Sequence, residues 1–593
     1  MKRCPECRRD YYDDTLLYCL EDGIALVQGS VPSPDEPATA ILSGLGVPPL
    51  GGSGSESATR AQIHTTEQTA IFPTGAEAEP QNKSGDSTAK QSFAARRAKP
   101  LAALVVAVLF LVGGFFGYKY YSPAKQINSI AVMPFENRNS DADTDYLSDG
   151  LAESVIFRLT QLPDLRVSPT SSVMRYKGAS TDVAKIANEL GVDAVMTGRL
   201  TKRGDNLNIT VELVDARTNK SLWGEQYERK LSELLTTQRE IVTEIVGKLQ
   251  LKLSGESEQK LAKKYTDNPE AYQLYLQGRY HWNKRQPKEF EKAIEFFKQA
   301  IEKDPNYALA YSGLADSYSQ FPTYGDFRPK EYMPQAKAAA LKAIELDPNL
   351  AEAHASLAIV LLYYEYDFSG AEKAFKRAIE LDPNYASAHQ WYAELLSKNG
   401  RHDEAIREIT KAIELDPFSF AINLTMHYQL RYAGRFDEAF SQNKKFNELF
   451  PNEQRFHNLN SGVYADQGKY DQAVEERLLA AKVNKDFKPE NIAKLKEAYE
   501  KDGWDGYNRM GGEISIENLN ARQAKDPNRY VPALDFATAY ANGKDKAKTI
   551  EYLNKVYDER DEKLLDLKVN KTWDFVRDDP RFKELVRRVG IPE

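Results

Sequence analysis

AEKAFKRAIELDPNY, residues 371–385, carries the second helix of a repeated helix pair and the turn that ends it. Nearly the same text returns as AIEFFKQAIEKDPNY (293–307), AKAAALKAIELDPNL (336–350) and EAIREITKAIELDPF (404–418). The proline ends each helix, because it lacks the N–H and clashes with the preceding turn. Pro305, Pro348, Pro383, Pro417 and Pro451 recur, the last three at 34-residue steps. Ala293, Ala336, Ala371, Ala405, Ala439 and Ala473 stand where two helices cross closely and only a small side chain fits. The spacing predicts a stacked helical array.

The period and these blocks resemble tetratricopeptide (TPR) repeats. Six repeats are expected from about Pro269 to Lys485, within a repeat region of 265–485, with a nine-residue insertion near Phe321 to Pro334. Residues 486–593 read as degenerate repeat helices and a C-terminal cap with the polar face a solenoid end needs. The resemblance implies a superhelix whose first helices line a concave groove for protein or peptide segments. In its register the partner-binding positions are Tyr272, Tyr275, Arg279 and Trp282, then Asp316, Gln390, Glu394, Tyr428 and Arg431. Aromatic and arginine side chains are common anchors, since they combine buried area with directed hydrogen bonds. The competing reading of each aromatic is packing between neighbouring helices. His354, His389 and His457 occupy the fourth position of a repeat, so they read as packing side chains rather than a metal site.

Before the repeats, 127–253 reads as an α/β sandwich of order βαβαβββα. Strands are expected at Ser129–Phe135, Leu165–Ser168, Ala194–Thr201, Leu207–Asp215 and Leu222–Lys230. Helices are expected at Leu147–Leu162, Asp182–Leu190 and Ser232–Leu251, with Leu151, Val155, Leu159 and Leu162 on one face of the first. IAVMPFEN, LSDGLAESVIFRL, SSVMRYKG, ELGVDAVMTGRL and LWGEQYER, in that order, resemble the amino-terminal domain of TolB. That resemblance supplies no catalytic residues, and Asp149, Asp193 and Glu225 read as turn, cap and surface groups.

Residues 101–118, LAALVVAVLFLVGGFFGY, carry no charge. At about 1.5 Å per residue they reach about 27 Å, which predicts a transmembrane helix within 100–121. Five Lys or Arg before the span against three after it place the N-terminus in the cytoplasm and the larger domains outside a bacterial inner membrane. Gly113 and Gly117 give a GxxxG spacing compatible with a homodimer. Residues 25–99 have the composition of a disordered linker.

The first 24 residues hold all three cysteines. Cys4 and Cys7 form a C-x2-C knuckle, and Cys19 and Asp22 copy its spacing. Three thiolates and a carboxylate can fill a structural tetrahedral zinc shell. The head resembles the zinc-ribbon modules that begin many bacterial membrane and kinase-linked proteins, with Asp22 where a fourth cysteine is usual.

A net charge of −8 argues against a nucleic-acid-binding body. Nucleotide-binding, hydrolase, zinc-protease and kinase motifs are missing, so no enzyme is expected. The expected fold is mainly α: a TPR superhelix preceded by the sandwich, one membrane span, the linker and the head. The expected function is a membrane-anchored scaffold for protein–protein interactions. The alternative is a transmembrane sensor whose zinc head acts on a kinase or nucleic acid.

Overall fold

Local chemistry at the helix ends sets the rhythm of the array. Asp304, Asp347 and Asp382 each accept a hydrogen bond from the backbone N–H two residues on, at 3.0, 3.2 and 2.9 Å, so the Asp-Pro-Asn sequence closes as a tight turn. His354, His389 and Asn423 then donate side-chain hydrogen bonds to the carbonyls of Pro348, Pro383 and Pro417. In the third, fourth and fifth pairs the fourth position thus ties the new helix to the turn before it, whereas His457 in the sixth pairs with Glu476 at 2.6 Å.

The computed structural model describes residues 126–592, except 140–141, 179–181, 326, 452, 454 and 485–486, together with three short N-terminal strands. Those strands, β1 (Lys2–Arg3), β2 (Asp10–Tyr11) and β3 (Val27–Gln28), form an antiparallel sheet of order β2-β1-β3. They belong to a unit spanning 1–113, and the remainder of the chain forms a second unit.

In the second unit a six-stranded sheet joins β4 (Ser129–Val132), β5 (Glu136–Asn137), β6 (Arg166–Val167), β7 (Ala194–Arg203), β8 (Asn206–Asp215) and β9 (Lys220–Lys230). Its order is β6-β4-β7-β8-β9, with β5 also pairing β7. Strand β4 runs parallel to β6 and β7, whereas β7, β8 and β9 form an antiparallel meander whose first turn pairs Arg203 with Asn206. Helices Ala142–Thr160 and Leu234–Lys248 bury Leu151, Val155, Leu159, Ile241 and Ile245 in the core. Asp149, expected at a turn or surface, is instead buried and paired with Lys177 at 2.8 Å.

Six helix pairs follow: Pro269–Asn283 with Pro287–Lys303, Ala308–Gln320 with Pro329–Leu346, Ala351–Val360 with Phe368–Leu381, Ala386–Lys398 with His402–Leu415, Phe420–Tyr432 with Phe436–Leu449, and Arg455–Asp466 with Tyr470–Val483. The six repeated alanines are all fully buried. Gly278 and Gly313 sit inside helices, where glycine costs about 1 kcal/mol relative to alanine. Packing accounts for them: Phe297 inserts between both, and an added Cβ at either would lie 2.6 Å from its ring.

Past the sixth pair runs Pro489–Lys525, kinked at Gly503, where φ is +61°. A further pair, Ala533–Asn542 and Lys546–Glu559, leads to Pro580–Val589. This segment is more than an end cap. Leu564, Leu567, Trp573, Val576 and Phe582 share one hydrophobic core with repeat residues from Trp282 to Ile422. The Tyr366 hydroxyl donates to the Asp561 carbonyl at 3.0 Å, and Lys571 donates to the Asp466 carbonyl at 2.9 Å.

The expected fold class needs correction at the membrane. Among the described residues no helix is long and apolar enough to cross a bilayer, and the expected span, 100–121, lies outside them. The architecture that stands is mainly helical, TPR-like pairs with a small sheet domain, and without the span an inner-membrane location with the folded domains outside loses its support. The expected linker, 25–99, begins with strand β3 at Val27–Gln28; the rest of it and the cysteine positions fall outside the described residues.

Candidate functional site

The first helix of the first repeat, Pro269–Asn283, turns one face toward the α/β domain, which covers it. Helix Ala142–Thr160 crosses Pro269–Asn283 so closely that a Cβ on Gly150 would lie 3.0 Å from Leu276 Cβ. Tyr272 and Leu276 complete the core of the α/β domain rather than that of the array. Around them lies a polar seam. Arg279 Nε donates to Glu153 Oε1 at 2.7 Å, Asn283 donates to Glu153 Oε2 at 2.7 Å, and the Tyr272 hydroxyl donates to Ser154 Oγ at 3.0 Å. Arg158 donates to the Lys263 carbonyl at 2.6 Å and lies over the Tyr265 ring.

A second anchorage sits at the fourth repeat. Ser172 Oγ donates to Asp416 Oδ1 at 2.6 Å, Ser171 donates to the other carboxylate oxygen, and Arg175 stacks 4.1 Å over Phe418. Burial raises the Asp416 carboxyl above its usual range, and the two serines partly offset that.

Between the two anchorages lies a cavity of about 670 Å³. Tyr272, Tyr275, Arg279, Trp282, Asp316 and Gln390 all line it. Tyr275 packs on Phe297 and Tyr307 with ring centroids 5.8 and 5.2 Å away. Asp316 is buried, receives Ser356 Oγ and lies 3.8 Å from Arg279. Burial raises Asp316, while Arg279 and Ser356 draw it down.

Glu394, Tyr428 and Arg431 are not brought into this cavity. Glu394 receives the Tyr363 hydroxyl, Gln390 at 3.2 Å and Thr425 at 3.1 Å. Tyr428 stacks on Tyr432, and Arg431 pairs with Asp466 at 2.6 Å.

Several lining groups were not legible as site residues. Arg285 adopts φ +52° just after the first helix and lies 3.6 Å over the Trp282 ring. Among the described residues its guanidinium has no hydrogen-bond or ion-pair partner, and burial lowers its pKa. Glu352 lies in the first turn of Ala351–Val360. Its Oε2 is shut from solvent without a partner, and burial, then the Asp382 charge, pushes the carboxyl up to about 8. Burial likewise lifts Asp382 to about 6. Trp282 Nε1 is also unpartnered. The arrangement is a cavity lined by ionisable groups of both signs and by aromatic walls. Among the described residues no group of three or more His, Cys, Asp or Glu could hold a metal ion.

Residues 125–244, read above as resembling the TolB domain, match the family model of the HilA/YgeH-like transcriptional regulator, second domain. Residues 362–422 match a tetratricopeptide repeat model. The chain is similar to the protein named "Putative adenylate cyclase 3" of Rhizobium meliloti (strain 1021), with 30% identity over 240 residues covering 40% of each chain. It is also similar to Transcriptional regulator HilA of Salmonella typhimurium, with 23% identity over 312 residues, 51% of this chain and 54% of that one. The chain thus spans about half, or less, of the length of these relatives. Among solved structures it is similar to YrrB, a TPR protein with an unusual peptide-binding site, at 21% identity and TM-score 0.26, covering 34% of this chain and 97% of YrrB. The repeat model and the six helix pairs together show that the chain carries tetratricopeptide repeats, the fold of a protein–protein interaction scaffold.

Proposed function

We propose that this chain is a non-enzymatic scaffold whose repeat array recognises protein segments, with the α/β domain as an internal occupant of the groove. One observation carries the reading. The first helix of the array and the turn that ends the fourth pair already hold a folded protein domain, through Arg279 on Glu153, Tyr272 on Ser154 and Asp416 on two serines. Relatives named for two different activities, a transcriptional regulator and an adenylate cyclase, support a shared interaction unit rather than a shared reaction. Crosslinking of the full chain in cells, with mass spectrometry, tests this. Crosslinks from one reproducible partner should map to lysines within 265–485. Crosslinks confined to the α/β domain, or turnover by the purified chain that depends on the cavity carboxyls, would overturn the reading.

For the N-terminal unit we propose a structural zinc held by Cys4, Cys7, Cys19 and Asp22. The donor chemistry fits, and so does the strand register. Arg3 pairs with both Asp10 and Val27, so β1 anchors the two connections whose sequence contains the two knuckles. Bound zinc would supply folding free energy to a segment too short for its own core. Elemental analysis of the full chain should find about one zinc per chain, and Cys4→Ser should remove most of it. No zinc in the reduced wild-type chain would sink the assignment.

A further inference from the structure

The six-stranded sheet ends on an open edge. Strand β9 is eleven residues long, and among the described residues only β8 pairs with it. The ladder fixes which backbone groups look outward. Leu231 donates to the Asp205 carbonyl at 2.8 Å, and the Val211 carbonyl points at β9, 3.6 Å from where a Cβ on Gly224 would stand. Both place the odd-numbered residues of β9 on the β8 ladder. Antiparallel pairing alternates, so Gly224, Gln226, Glu228 and Lys230 turn their N–H and C=O groups to the free edge. Two of these groups are occupied locally. The Glu228 carbonyl accepts from Arg229 at 3.1 Å, and the Lys230 N–H donates to Glu233 at 2.8 Å. The others have no backbone partner among the described residues.

An unpaired edge is a template for another strand, and charges along it commonly keep strands apart. The charges of β9 are instead placed to match β9 itself. Its four outward residues are symmetric about Tyr227. Antiparallel pairing of two copies centred there sets Gly224 opposite Lys230 of the second copy, and Gln226 opposite Glu228. No other antiparallel register of β9 on itself uses all four. In this register Glu225 of each copy faces Arg229 of the other, Trp223 faces Leu231, and Tyr227 meets its own counterpart. Opposite charges therefore meet twice, and like charges are never opposed. Centring on Glu225 would instead set that carboxylate on its twin and Lys220 on Lys230. Glu225 has no ion-pair partner among the described residues, and Arg229, which meets Glu240 at 3.2 Å, stays accessible. The Glu228 carbonyl keeps a second lone pair, so only the Lys230 N–H must give up a bond it already has.

We propose that β9 is a self-association surface, on which two copies of this chain join edge to edge, antiparallel about Tyr227, into one continuous sheet. The backbone groups of Gly224, Gln226, Glu228 and Lys230 supply the ladder, and the paired Glu225 and Arg229 fix its register. The assembly then carries two repeat arrays, whatever each array binds.

Sedimentation equilibrium of the full chain, from nanomolar to high-micromolar concentration, tests this and should show a monomer–dimer equilibrium. Glu225→Arg should raise the dimer dissociation constant at least about tenfold, because it acts twice across the two-fold axis and turns attraction into repulsion. Arg229→Glu should do the same, and the two together should restore the dimer. Gln226→Pro removes an outward N–H from an edge strand, where proline is tolerated, and should leave a folded monomer. A wild-type chain that is monomeric at every concentration overturns the proposal. So does a dissociation constant unmoved by Glu225→Arg and Gln226→Pro, or a folded double exchange that fails to restore pairing. Should Arg229→Glu fail to fold for want of its Glu240 contact, Glu225→Arg and Gln226→Pro still decide.

Discussion

Replacing Arg279 with alanine is expected to destabilise the protein by about 3–5 kcal/mol, the cost of breaking a buried ion pair from one side. Arg279 is only 18% exposed and bridges Glu153 at 2.5 Å and Asp316 at 3.8 Å. Its loss leaves two buried carboxyl groups hydrogen-bonded by neutral partners, Asn283 for one and Ser356 for the other, with Arg285 the remaining charge acting on Asp316. The resemblance to groove positions alone would predict lost partner binding with intact stability. The structure instead makes Arg279 the hinge pin between the α/β domain and the first repeat. Chemical denaturation of Arg279→Ala, Glu153→Gln and the double variant separates the two. The double variant should recover at least about 1 kcal/mol relative to the sum of the singles, because residues in direct contact couple. A loss below about 1 kcal/mol for Arg279→Ala would place the seam among weak surface pairs and remove the claim.

Phe297→Ala is the second large effect, about 3–5 kcal/mol for deleting a fully buried ring. The ring comes from the second helix of repeat one and fits between Gly278 of its own pair and Gly313 of the next. Gly313→Val should therefore cost about 1–3 kcal/mol through overpacking, although valine adds apolar surface. Shrinking the ring should relieve that clash. Phe297→Leu with Gly313→Ala should be better tolerated than the two single changes added together. Strict additivity in thermal denaturation would show that ring and glycines do not interlock.

What was legible in the sequence is what local chemistry decides. Asp-Pro turns, small residues at helix crossings and alternating strands around Gly204 are written within a few residues, and each leads to an element where the structure has one. The docking is written elsewhere. Glu153, Ser154 and Arg158 lie on the polar side of a helix whose apolar side, Leu151, Val155 and Leu159, announces a core. A polar face that meets solvent and one that meets another domain have the same composition. Arg285 illustrates a second limit, because a left-handed φ in an arginine carries no compositional mark, unlike glycine. The C-terminal segment illustrates a third. Its charged surface suggested an end cap, while Leu564, Leu567 and Trp573 find their places in the middle of the array.

The two serines on Asp416 have a consequence for how the chain unfolds. A free-standing solenoid behaves as a one-dimensional chain of neighbours, and its end units can fray one at a time. Here Ser172 meets a residue 244 positions later, Glu153 one 126 positions later, and Tyr366 one 195 positions later. These clasps close the line into loops, so the first and fourth repeats cannot melt without releasing the α/β domain. Unfolding becomes concerted over most of the second unit, and folding slows as such distant pairings wait for the whole chain. On the ribosome the α/β domain emerges before either of its clasps exists; its polar seam must remain hydrated until the first repeat arrives, and Ser171 and Ser172 until the fourth.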